Sequence, residues 1–175
     1  MKIFISHSHQ NSAAAKALVD MLLSSLSLED NDILCTSVPG HQLRFGKSIA
    51  ELLKKDINLA PAFIALISKQ SLNSDWVLFE LGAAWGLDRV IYPILGPDLH
   101  INDLPGPLSH LPCIEIGSTD ASSRMSDLIQ QLAEDLGLSR KNGGKAQANL
   151  ESFFIQFRQV TTDTHKLGQV NKSPE

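Results

Sequence analysis

The chain has 175 residues, 43% of them hydrophobic and 19% charged, with a formal net charge of −4; that is enough apolar material for one domain with a sizeable core and a short appendage. Its lysines and arginines form no dense block, which argues against nucleic acid as the main partner, because phosphate binding needs clustered positive charge. The opening Met1-Lys2-Ile3-Phe4-Ile5-Ser6 lacks the apolar region of a signal peptide and no apolar run approaches the ~20 residues of a bilayer span, so a cytoplasmic protein without membrane contact is expected.

In chain order, Lys2 to Ser6 is a short β-branched and aromatic run that predicts a strand. His7 to Ser12 is a polar loop, and Ser12 can cap a helix to about Ser25 carrying Ala14, Ala17, Leu18, Met21 and Leu22 at helical spacing. Ile33, Leu34 and Cys35 mark a second strand. Val38 to Lys47, with Pro39, Gly40 and Gly46, is a long loop, and Ser48 precedes a helix to about Leu59. Ala62 to Ser68 is continuously apolar, the pattern of a strand covered on both faces. Asn73 or Ser74 caps a helix ending near Gly86, and Val90 to Leu95 is a fourth strand. Gly96 to Pro112, punctuated by Pro97, Pro105 and Pro107, is an irregular connection. Cys113 to Gly117 is a fifth strand, and Ser123 to Leu136 is an amphipathic helix that stops at Gly137. Cys35 and Cys113 both fall in strand-like runs and are expected to be buried thiols.

Strand and helix therefore alternate five times, which implies right-handed crossovers and an α/β fold: a five-stranded parallel, flavodoxin-like sheet with helices on both faces. Ligands bind such sheets at the carboxyl ends of the strands, here the loops at 7–12, 38–47, 68–74 and 96–112. Residues 1–138 form this domain. Residues 139–175 read as a linker through Asn149, a short helix with Leu150, Phe153, Phe154, Phe157 and Val160 on one stripe, and a disordered tail after Thr161. The stripe either folds back onto the domain or docks a partner or fused sensor module.

The main chemical candidate is Glu80. It is the only charged residue between Asp75 and Asp88, in the run Trp-Val-Leu-Phe-Glu-Leu-Gly-Ala-Ala-Trp-Gly-Leu. A lone carboxylate in such a stretch is costly to bury without a partner. Trp76 lies at i−4, and Ala83 and Ala84 at i+3 and i+4, so one helical face offers an indole, a carboxylate and then space. Two readings stand: a pocket for a heterocycle or sugar, and a structural glutamate paired with a cation from another element. His7 and His9 resemble a metal pair, but no third ligand stands near and no metal site is expected. The Ser8-His9-Gln10 loop reads either as ligand-contacting or as a capped turn. Arg44, Phe45 and Lys47 are candidates to meet an anionic ligand or a neighbouring protomer. Neither glycine fingerprint for phosphates follows the first strand, and no Gly-x-Ser-x-Gly elbow is present.

Ile3-Phe-Ile-Ser-His-Ser, the Pro-Gly loop after the second strand, Phe63-Ile-Ala-Leu-Ile-Ser and Ser74-Asp-Trp-Val-Leu-Phe-Glu-Leu together resemble a Toll/interleukin-1 receptor (TIR) domain of the bacterial type, over about Met1 to Leu138. The Trp76-x-x-x-Glu80 spacing resembles that of its NAD+-cleaving members. The resemblance implies that Glu80 is the catalytic residue of an NAD+ nucleosidase. The products would be nicotinamide and either ADP-ribose or a cyclic isomer, with NAD+ as substrate, no resident cofactor, and a role in antiphage defence. It further implies that His9, Gln10, Phe45 and Trp76 contact substrate, and that TIR–TIR self-association completes the site through the loop after the second strand; Ser8 and Arg44, beside them, are expected to contact substrate as well. The first loop departs from the family, with Ser-His-Gln where relatives often carry a Ser-Lys-Asp type of sequence. Two other activities fit the same pattern: a non-enzymatic TIR adaptor and a nucleoside deoxyribosyltransferase-like enzyme.

Overall fold

A computed structural model describes residues 1–35, 49–141 and 143–169. Five parallel strands, β1 (Ile3–His7), β2 (Ile33–Cys35), β3 (Ala62–Ile67), β4 (Val90–Leu95) and β5 (Ile114–Glu115), form one sheet in the order β2-β1-β3-β4-β5. The helices are α1 (Ser12–Ser25), α2 (Ile49–Leu59), α3 (Lys69–Leu72), α4 (Asp75–Gly86), α5 (Ala121–Asp135) and α6 (Gly144–Gln169). The expected flavodoxin-like α/β architecture is the one observed. Its chain order reverses direction between β1 and β3, and this switch point is where such sheets open a crevice for ligands.

Strand register sorts the core into two layers. Ile3 pairs with Ala62 and Phe4 with Phe63, so successive side chains alternate in step across the sheet. Ile3, Ile5, Ile64, Leu66 and Ile94 pack on one face with α1, α5 and α6. Phe4, Phe63, Ala65, Ile67 and Leu95 pack on the other with α2 and α4. The Phe4 and Phe63 rings stack there at 5.1 Å.

The connections hold more order than the sequence suggests. Short 3-10 turns occupy His9–Asn11, Asp30–Asp32, Ile101–Asp103 and Gly106–His110, the last two inside the stretch read as irregular. Gly117 is required where this connection returns to the sheet: a Cβ there would lie 2.6 Å from the Pro97 carbonyl oxygen.

The C-terminal segment differs most from expectation. Its helix starts at Gly144 and runs to Gln169, through the stretch read as disordered after Thr161. Leu150, Phe153 and Phe157 are buried in the α1-side core, so the aromatic stripe folds back onto its own chain. The linker is pinned as well. Lys141 N donates to Ser25 O at 2.8 Å, Lys141 Nζ to Leu23 O at 2.9 Å, and Asn149 Nδ2 to Asp20 O at 3.1 Å. Arg158 reaches across to the Ile116 carbonyl at 3.2 Å. Among the described residues, no helix is long and apolar enough to cross a membrane.

Candidate functional site

Seven buried polar or charged side chains, Ser6, His7, Ser8, Asn11, Ser68, Ser71 and Glu80, gather about the carboxyl ends of β1 and β3. That is the switch point, and interiors keep such groups only where they are satisfied or used. The local sequence explains the clustering. β1 is apolar through Ile5 and then turns polar at its last two residues, where the strand leaves the middle of the sheet.

Alternation along β1 sends those two residues to opposite faces. Ser6 follows Phe4 onto the α2/α4 face, where its Oγ donates a hydrogen bond to Glu80 Oε2. Glu80 is 0% exposed. α4 is capped by Ser74, whose Oγ accepts from Val77 N at 3.4 Å, and turns Val77, Glu80, Leu81 and Ala84 inward. A serine hydroxyl from β1 thus meets the carboxylate. His7 follows Ile5 onto the other face, with its Nδ1 3.6 Å from Cys35 Sγ. Burial pushes the His7 imidazole down to about 4.

The predicted pocket face on α4 is divided. Trp76 is 41% exposed and its ring lies 6.0 Å from that of Phe79. Ala84 is buried in the core, and Ala83 lines a separate cleft with Glu51, Lys54, Phe79, Gly86 and Leu87. The reason is helical phase. Positions 77, 80, 81 and 84 share the sheet-facing stripe, which leaves 76, 79 and 83 turned about a quarter-turn or more away.

The loop after β1 forms the rim of the site. Ser8 is buried, whereas His9 and Gln10 are exposed. Asn11, wholly buried, ties this loop to the one after β3: its Nδ2 donates to Ser68 Oγ at 2.9 Å and to Ser71 Oγ at 3.0 Å. Ser71 Oγ in turn donates to Leu66 O at 3.1 Å. Between the two loops lies a cleft of about 440 Å³ lined by Ser8, His9, Gln10, Gln70, Asn73 and Ser74. A cleft of similar size, lined partly by Val90–Pro93 and by Arg124 and Asp127 of α5, opens at the start of β4, away from this end. Arg44, Phe45 and Lys47 lie outside the described residues.

The structure thus brings together Glu80, Ser8, His9 and Gln10 at one end of the sheet, and leaves Trp76 on the outer flank of the same helix. Sequence reasoning missed Ser6, Asn11, Ser68, Ser71 and Asn73. Ser6 had a readable signal, a polar residue ending an apolar strand. The Asn11–Ser68–Ser71 network joins positions 57 and 60 residues apart, and nothing local announces it.

A family model described as "TIR domain" matches residues 3–133. An uncharacterized protein of Bacillus subtilis (strain 168), YddK, is 34% identical over 84 residues, 48% of this chain and 31% of that protein. The match therefore spans under a third of that relative's own length. Among solved structures, the chain is similar to the TIR domains of the activated Roq1 resistosome directly recognizing the pathogen effector XopQ. That likeness has a TM-score of 0.43 and 14% identity, over 92% of this chain and 83% of the other.

Proposed function

Because the chain belongs to the TIR-domain family, whose model spans residues 3–133, we propose that it is an NAD+ nucleosidase that cleaves the bond between nicotinamide and ribose. One arrangement supports this above all: a wholly buried carboxylate, Glu80, hydrogen-bonded by Ser6 at the β1/β3 switch point. A chain gains little stability from a carboxylate there, and a single fixed carboxylate suits this reaction.

The nicotinamide of NAD+ is already cationic. When the glycosidic C–N bond breaks, its electron pair goes to the ring nitrogen and nicotinamide leaves neutral, so no general acid is needed. Positive charge develops on the anomeric carbon, and Glu80 stabilises it. Ser6 holds one carboxylate oxygen and so fixes where that negative charge sits. Water then bonds to the anomeric carbon and loses a proton to give ADP-ribose; attack from within the same dinucleotide gives a cyclic isomer. Activity is proposed to depend on self-association through residues 38–47, with Arg44 and Phe45 completing a neighbour's site, in bacterial antiphage defence.

A second reading is a non-enzymatic TIR adaptor, and the exposed Trp76, Phe79 and Trp85 on α4 favour it. Concentrated protein mixed with NAD+ separates the two. Nicotinamide release that disappears in Glu80→Gln supports the nucleosidase. Release that persists unchanged in that variant removes Glu80 from the chemistry, and no release under any self-associating condition favours the adaptor.

A further inference from the structure

α6 lies outside the residues 3–133 that the family model matches, yet it is bonded to the domain at two widely separated points. At one, Asn149 Nδ2 donates to Asp20 O at 3.1 Å and to Ser24 Oγ at 3.0 Å, both in the second half of α1. At the other, Arg158 Nη2 donates to Ile116 O at 3.2 Å, just past the end of β5. α6 also touches the His9–Asn11 turn that precedes α1. The two helices therefore run antiparallel. Their lengths agree: α6 rises about 13 Å from Asn149 to Arg158, and α1 about 12 Å from Asp20 back to Ser12.

Because α1 begins where β1 ends, this course carries α6 to the carboxyl end of the sheet. There it meets the chain leaving two strands, β1 and β5, at the end that bears Ser6 and Glu80. The groups that make the contact are themselves held. Phe157 is 1% exposed, and its ring lies 5.8 Å from that of Phe153. Arg158 Cζ lies 5.5 Å from the centre of the Phe154 ring, so the guanidinium rests on an aromatic face as it reaches Ile116.

The His9–Asn11 turn has little of its own to fix it. Asn11 N donates to Ser8 O at 2.9 Å, and Ser12 N donates to His9 O. His9 and Gln10 are exposed. A single short turn with exposed side chains opens easily, so its position is set by what grips it. Asn11 grips it from the β3 side through Ser68 and Ser71, and α6 lies against it from the α1 side.

We propose that α6 is a control strut. Phe157 and Arg158 are positioning residues that fix the turn after β1 and the chain after β5, and through them the C-terminal segment sets the geometry of the candidate site. A shift of α6 along α1 is felt at that end of the sheet, because packed helices move as units. The proposal goes beyond the nucleosidase reading and does not require it.

The test uses the full chain and three variants, Arg158→Ala, Arg158→Lys and Phe157→Leu. Arg158 is exposed, so its removal leaves the core intact. Amide hydrogen exchange is followed at Asn11 and Ser12, with Ile64 and Ala65 of β3 as the internal reference. Arg158→Ala and Phe157→Leu are expected to speed exchange at Asn11 and Ser12 by about fivefold or more while β3 keeps its wild-type rates, and Arg158→Lys to restore most of the protection. With NAD+ as substrate, Arg158→Ala is expected to raise KM by about fivefold with little change in kcat. Unchanged exchange at Asn11 and Ser12 in both variants, or equal acceleration in β3, overturns the strut and leaves α6 a core helix only. Local acceleration with unaltered KM and kcat in an active enzyme overturns its control of the site. Local acceleration in a chain that releases no nicotinamide supports the strut and overturns the nucleosidase.

Discussion

α4 and α6 both carry aromatic residues, and they dispose of them in opposite ways. α6 buries Phe153 and Phe157 to 0% and 1% exposure and, among its described side chains, leaves Ile155 as the one large apolar group exposed. α4 leaves Trp76, Phe79 and Trp85 exposed and buries a carboxylate instead. The first is how a helix contributes to a core: large apolar side chains removed from water, with capping and side-chain hydrogen bonds at the margins. The second runs against the same free-energy gradient twice, since apolar area stays wet and a charged group type goes dry. A helix with that arrangement is under a constraint other than packing, and the constraint proposed is catalysis at Glu80.

The comparison can be broken in several places. Phe153→Ala should have the largest effect, destabilising the chain by about 3–5 kcal/mol in urea unfolding, whereas Trp76→Ala should stay within about 0.5 kcal/mol. Equal losses would mean that α4 and α6 are both simply core helices. Glu80→Gln comes next, lowering the rate of nicotinamide release by about a hundredfold to a thousandfold with little change in unfolding midpoint. An unaffected rate would return Glu80 to a structural role.

His7 gives an intermediate effect with a definite sign. Its folded-state value of about 4 lies below the ordinary 6.5. The unfolded chain therefore binds the proton more tightly. The stability contributed by keeping this imidazole neutral is fully present above 6.5 and is lost as pH falls from 6.5 towards 4, by about 1–3 kcal/mol. Unfolding of wild type and His7→Gln at pH 7.5 and pH 5 measures it: the variant should lose less on acidification, and parallel losses would count against the assignment. A smaller loss of activity is expected from Ser6→Ala. Losing the hydroxyl that meets Glu80 should cost about 1–2 kcal/mol of stability and roughly tenfold in nicotinamide release, less than Glu80→Gln itself.

Much of this was legible from local pattern. The five strands, the cap at Ser74, the end of α5 before Gly137 and the oddity of Glu80 follow from periodicity and residue type over a few positions. What was misjudged depended on phase and on distant contacts. Ala83 and Ala84 were expected to flank the carboxylate together, yet the sheet selects one stripe of α4 and separates them. The C-terminal helix was read as short because residues 139–149 are polar with Gly143-Gly144 and the composition after Thr161 resembles a disordered tail, whereas anchoring to α1 at Asp20 and Leu23 depends on a surface more than a hundred residues earlier in the chain.

The sequence by itself determined the alternation of strands and helices, and with it a parallel sheet whose carboxyl ends carry the candidate site. It also determined that a single carboxylate would sit in an apolar helix, because residue type and spacing are local properties. Only the tertiary structure decided that Ser6 meets Glu80, that Asn11 clamps the loops after β1 and β3 together, and that a cleft lies between those loops. Those facts depend on strand order and register, which bring together side chains 57 to 74 residues apart. Hydrogen bonds over such separations leave no periodic trace in the chain.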